Sequence, residues 1–192
     1  VEKLMVVSLG VLAFCLSLGA QADASWYAEV AGSFGGDTMA EVEVETFGGD
    51  IEDASVKAGE GFSLAIGTRL RLSEAVDLTL SAGYKSGGVF AADGDSASFD
   101  RFPLTAMLSF KQRILSFGFG LTQEIDGSLD LKDVGLGKVD VDDALGKFVA
   151  LNWKITDFFN LGGRYTFIEY ELENSSVEYD GNNLAIVASF TF

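Results

Sequence analysis

The 192-residue sequence contains no histidine. That removes the usual general base and the commonest metal ligand, so most hydrolytic and metal chemistry is not expected of it. Its one cysteine, Cys15, lies in an N-terminal apolar run. The rest of the chain therefore has neither disulfide staples nor thiolate metal sites, which suits an oxidising compartment. Basic residues are scarce: 13 Lys and Arg against 29 Asp and Glu give a formal charge of -16, so nucleic acid is not an expected partner. No apolar stretch of about 20 residues occurs after position 24, which excludes helical membrane spans there. Hydrophobic residues still make up 48% of the chain, so they must be distributed by another rule.

The N-terminus has the form of a signal peptide. Lys3 precedes an apolar run from Leu4 to Ala20, followed by the small-x-small sites Ala20-Gln21-Ala22 and Ala22-Asp23-Ala24. Residues 1-24 are read as that peptide and residues 25-192 as a single domain.

Within 25-192 the apolar residues recur with period two rather than 3.6, in eight segments separated by turns. The first sets Trp26, Ala28, Val30 and Phe34 against Tyr27, Glu29, Ala31 and Ser33; the fifth sets Leu115, Phe117, Phe119 and Leu121 against Ser116, Gly118, Gly120 and Thr122. The last alternates through Leu184, Ile186, Ala188, Phe190 and Phe192. In the seventh, Leu161, Tyr165 and Phe167 lie on one face, but Ile168, Tyr170 and Leu172 change phase, which predicts a bulge near Phe167 and Ile168.

Connections alternate in length. Ser73 to Ala75, the neighbours of Gln112, and Thr156 to Phe158 form tight turns, whereas 35-61, 86-101, 126-146 and 173-182 are long. Two of the long ones carry β patterns: Val42 and Val44 before a Gly48-Gly49-Asp50 turn, and Leu129 and Leu131 across Gly135 and Gly137 from Val139 and Val141. Short turns on one side and long loops on the other, with an even strand count, describe an outer-membrane β-barrel with both termini in the periplasm.

A soluble barrel would also alternate, so the composition of the polar face decides. That face is mostly Gly, Ala, Ser and Thr, which suits the narrow lumen of eight strands, while the apolar face is almost free of charge. Arg or Lys facing lipid at the midplane costs about 2 to 4 kcal/mol, and Arg69, Arg71, Lys85, Lys111, Lys154 and Arg164 all fall on the lumen face. Glu29, Glu124 and Glu169 are their candidate partners there. The expected ion network of the lumen is Glu29, Arg69, Lys85, Glu124 and Arg164, acting as a plug or, alternatively, as a pore lining. Trp26, Trp153, Phe110, Phe158 and Phe192 at the short-turn end, and Phe34, Phe62, Tyr84 and Phe102 at the long-loop end, form two candidate aromatic girdles.

On these features, the Leu161-Gly162-Gly163-Arg164-Tyr165 segment and the terminal Phe190-Thr191-Phe192, the chain resembles the small eight-stranded outer-membrane β-barrel superfamily. That superfamily includes the outer membrane protein A transmembrane domain and the opacity-like proteins. The resemblance implies an all-β, antiparallel up-and-down transmembrane barrel, partnered by outer-membrane lipid and lipopolysaccharide. It also implies insertion by the outer-membrane assembly machinery, with Phe190 and Phe192 as the assembly signal; Val187 stands where that signal usually has glycine. Barrel enzymes of this membrane rely on a histidine, so the expected function is non-enzymatic and without cofactor. It lies in envelope structure and surface-loop interaction or adhesion through acidic loops. The alternatives are a narrow passive pore and a secreted soluble barrel binding an apolar ligand.

Overall fold

The computed structural model describes residues 23-45, 51-90, 96-131, 137-172 and 177-192. The expected signal peptide lies outside them but for Asp23 and Ala24, and the Gly48-Gly49-Asp50 turn falls outside except for Asp50's neighbours from Ile51 onward. Thirteen strands form among these residues: β1 Asp23–Gly35, β2 Thr38–Glu45, β3 Ile51–Lys57, β4 Gly61–Arg71, β5 Val76–Phe90, β6 Ser96–Gln112, β7 Leu115–Leu131, β8 Gly137–Val141, β9 Ala144–Lys154, β10 Phe159–Phe167, β11 Glu169–Glu171, β12 Glu178–Asp180 and β13 Asn183–Thr191.

Eight of them, β1, β4, β5, β6, β7, β9, β10 and β13, pair with their sequential barrel neighbours, all antiparallel. The pairing of β1 with β13, from Tyr27↔Thr191 to Gly35↔Asn183, closes the ring. Closure leaves no sheet edge, which is the condition for strands to cross hydrocarbon. The tight turns are as expected: Leu72 and Ser73 both donate to the Val76 carbonyl, Arg113 turns β6 into β7 with φ 55°, and Ile155 and Thr156 donate to the Phe159 carbonyl.

The faces follow the alternation. Trp26, Ile66, Phe117, Phe119, Val149, Trp153 and Ile186 are exposed on the outside, whereas Tyr27, Glu29, Thr79, Thr122, Phe148 and Val187 are buried inside. Both groups of aromatics expected as girdles are exposed. At the long-loop end Tyr84 packs on Phe102, ring centroids 5.4 Å apart, and donates its hydroxyl to Asp100 at 2.6 Å. A ring turned to lipid with its hydroxyl directed to a polar partner is the usual arrangement at a membrane interface. Lys147 also faces outward, but in the last pair of the β9–β10 ladder, with its ammonium 5.9 Å from the Phe167 ring, where its stem can carry the charge to water.

Beyond that interface the pattern inverts. β5, β6 and β7 run on past the barrel into the segments expected as the loops 86-101 and 126-146, and β8 adds to β7 with Leu129 opposite Val139. The β2–β3 hairpin forms as expected, with Val42 opposite Ala54, and β11 pairs with β12. Together they enclose an apolar core of Val56, Ala58, Ala97, Phe99, Leu129, Leu131, Val141, Ala144, Ile168 and Tyr170. This cap is built like a water-soluble protein, apolar side inward.

The inversion explains a misplaced bulge. Ile168 and Tyr170 do not change phase: they continue the inward face of Arg164 and Thr166, and what changes is that the inward residues become apolar. The irregularity that does shift a register lies between β6 and β7, where Asp100 pairs with Ser128 but Phe102 with Ile125, and Asp126 adopts φ 52°. One extra residue there swaps the faces of β7, so that Glu124 and then Leu129 and Leu131 all point inward. Glu169, expected as a lumen partner, is exposed on the outside for the same reason of parity.

Inside the barrel large and small residues complement each other. A Cβ at Gly120 would lie 2.2 Å from the Ala106 carbonyl oxygen and 2.5 Å from the Phe148 ring, so a side chain there would crowd both. Gly120→Val is expected to destabilise the barrel by about 1–3 kcal/mol, read as a lower urea midpoint for unfolding from lipid vesicles.

Candidate functional site: the ion clusters of the lumen

Inward-facing ions gather at two levels. In the first, Glu29 accepts hydrogen bonds from Arg164 Nη2 and from the Tyr27 hydroxyl, both at 2.5 Å. The strands β1 and β10 that carry the pair are both neighbours of β13, so the side chains meet across an intervening strand. The Arg164 guanidinium lies 4.8 Å from the Phe148 ring centroid, and that of Arg69 lies 5.1 Å from Tyr27. Thus Arg69 joins this level through an aromatic face rather than an acid.

The second level lies at the base of the cap. Glu124 accepts from Arg101 Nε at 2.8 Å and from the Tyr170 hydroxyl at 2.6 Å. Arg101 is fully buried, and its remaining donors reach the carbonyls of Phe99 at 3.0 Å, Ala58 at 2.9 Å and Glu60 at 3.2 Å. Its guanidinium also lies over the Phe99 ring at 4.1 Å. Lys85 donates to the Gly59 carbonyl at 3.1 Å. In the cap, burial lifts the Tyr170 phenol well above its ordinary range, which keeps it protonated as a donor. A cavity of about 50 Å³, touched by Glu29, Arg164, Lys85 and Glu124, lies between the two levels.

Of the five residues singled out from the sequence, Glu29 and Arg164 meet directly, Glu124 and Lys85 sit at the second level, and Arg69 reaches the first level through the Tyr27 ring. The residue missed is Arg101. It fell in a segment read as a loop; the period-two alternation of Ala97, Phe99 and Arg101 was the signal available.

Below the first level the lumen opens at the short-turn end into a cavity of about 220 Å³. Arg71 meets Asp23 at 3.5 Å, Lys111 meets Asp77 at 2.8 Å and Lys154 meets Asp157 at 2.7 Å around it. In the exposed turn the hydrogen bond from Lys154 holds the Asp157 carboxyl below its usual range. Among the described residues no three acids, histidines or cysteines converge as a metal site.

The fold is that of the eight-stranded transmembrane β-barrels of bacterial outer membranes. Two crystal structures of Ail, the attachment invasion locus protein of Yersinia pestis, share it. The one in complex with the heparin analogue sucrose octasulfate has 16% identity and a TM-score of 0.54 over 89% of this chain and 99% of that one. The other has 13% identity and a TM-score of 0.52 over 88% and 97%. Neisserial surface protein A is also similar, at 16% identity and a TM-score of 0.48 over 88% of this chain and 97% of that one. No protein-family model matches the chain, and no curated sequence does.

Removing one member of a buried pair strands the other, at a cost of about 3–5 kcal/mol. Glu124→Ala is therefore expected to lower the urea midpoint sharply, and Glu124→Ala combined with Arg101→Met to recover most of the loss. Equal destabilisation by the single and the double change would show that the pair is not what matters.

Proposed function

We propose that this protein is a non-enzymatic, non-conducting barrel of the bacterial outer membrane, whose role is envelope structure and contact with external partners through its rigid β-built cap. On this reading residues 1-24 contain the export signal, both termini face the periplasm, the cap is extracellular, and Phe190 and Phe192 serve recognition by the assembly machinery. The observation that supports it is a series of side-chain clusters along the lumen: Glu29 with Arg164, Glu124 with Arg101, and the apolar core around Phe99 and Tyr170. On this reading the surface that meets external partners is the outer face of the cap.

The charge of that surface restricts the partner. Ail was crystallised with a polyanionic heparin analogue, but the β2–β3 hairpin here carries Glu41, Glu43, Glu45, Glu52 and Asp53 in its sequence, while Asp126 lies in β7, Asp140 in β8 and Asp142 and Asp143 between β8 and β9. A polyanion would be repelled, so the partner proposed is a cationic surface, or lipopolysaccharide reached through divalent cations. A passive pore is the competing reading, since the cavities of about 220 and 50 Å³ lie on either side of the Glu29–Arg164 pair.

In planar bilayers the unmodified protein and Arg164→Ala are both expected to show no stable open level, because the Arg101–Glu124 level and the cap core still close the path. A steady channel in the unmodified protein would establish the pore instead. Outer-membrane fractionation, with faster migration of unboiled than boiled samples on electrophoresis, checks the location and the folded barrel.

Among the described residues the strand ladder includes Asp23, opposite Arg71. Cleavage after Ala22 keeps the pairs Asp23↔Arg71 and Ala24↔Leu70, which cleavage after Ala24 would remove, so Asp23 is the proposed first residue on N-terminal sequencing of the exported protein; Ser25 as the first residue would contradict this.

A further inference from the structure

The cavity at the short-turn end differs in charge from the rest of the molecule. The chain as a whole has more than two acids for every base, 29 against 13. Around this cavity the ratio reverses: Arg69, Arg71, Lys111, Arg113 and Lys154 line it, against Asp23, Asp77 and Asp157. The cost of placing cations in lipid sends basic side chains inward, but it does not send them all to one end. Five of the 13 sit at this mouth.

Each of the three acids is engaged by one base, Asp23 by Arg71, Asp77 by Lys111 and Asp157 by Lys154. Among the described residues no salt bridge joins Arg69 or Arg113 to an acid. Arg69 makes its contact with the Tyr27 ring, which leaves the edge of its guanidinium free to donate, and Arg113 projects from the turn between β6 and β7. The remaining lining is rich in neutral hydrogen-bonding groups, among them Ser109, Ser116 and Asn152. Thr191 lines it too, with its hydroxyl buried and without a hydrogen-bond partner. The Tyr27, Glu29 and Arg164 level lies above it, and on the plugged-lumen reading proposed above the cavity is a blind vestibule entered from the short-turn side.

We propose that this vestibule binds a small oxyanion of the phosphate class, held by Arg69 and Arg113 with the surrounding hydroxyl and amide groups. A volume of about 220 Å³ admits an anion of that size with a few waters. Two guanidinium forks with no acidic partner, in a partly enclosed space of reduced dielectric, match the planar edges of a phosphate, and neutral donors complete its shell. The site does not depend on what the cap binds or on whether the cap is extracellular; it requires only that the lumen be blind.

The test is a nuclear magnetic resonance titration of the isotope-labelled barrel, folded in zwitterionic detergent, with inorganic phosphate and, separately, with sodium chloride at equal ionic strength. Saturable shifts of the Ser109, Ser116 and Asn152 amides with phosphate alone are expected. Arg69→Gln with Arg113→Gln should weaken them about tenfold or more, the usual consequence of losing charge-assisted hydrogen bonds. Lys147→Gln, on the outer face, should leave them unchanged. Should the double variant lose its heat-modifiable band, Arg113→Gln alone, in an exposed turn, replaces it with the same expected direction. Shifts that follow ionic strength for both salts, or phosphate affinity unaltered by the arginine changes, would overturn the proposal.

Discussion

The constraint on which everything else depends is that a backbone crossing hydrocarbon must satisfy its own hydrogen bonds. Eight strands do so by closing through β1 and β13, and the closure divides every strand into an outward and an inward face. Lipid accepts the first face only if it is apolar. The narrow ring accepts the second only if most of its residues are small, with the few ions matched to partners.

The same chain obeys the opposite rule once it leaves the membrane. Past Tyr84 and Phe102 water replaces lipid outside, and the inward residues become Phe99, Leu129, Ile168 and Tyr170. Arg101 and Glu124 mark the boundary between these regimes. Arg101 is buried with every nitrogen engaged, and it ties the last barrel level to the carbonyls of Ala58 and Glu60, where β3 leads into β4. The seam between membrane barrel and cap is therefore an ion pair rather than a hinge.

The molecule is also polarised along its axis. Acids crowd the hairpins of the cap, while bases collect at the opposite mouth. The balance of charge therefore differs between the two ends despite the strongly negative total. A single net charge describes neither end.

Strand number, barrel topology, the outward aromatics and the inward position of Glu29, Lys85, Glu124 and Arg164 were legible in the residues, because period-two alternation across a lipid boundary is a local rule that each strand obeys by itself. Arg69 could be placed on the inner face in the same way, though not its packing on Tyr27. The tertiary structure decided what depends on neighbours distant in sequence: which ions meet, where the Asp126 bulge swaps the faces of β7, and that Ile168 and Tyr170 keep their phase while their surroundings change. A one-residue register shift and a change of solvent both leave the same mark in a sequence, an apparent inversion of the pattern. Only the partner strand shows which has occurred.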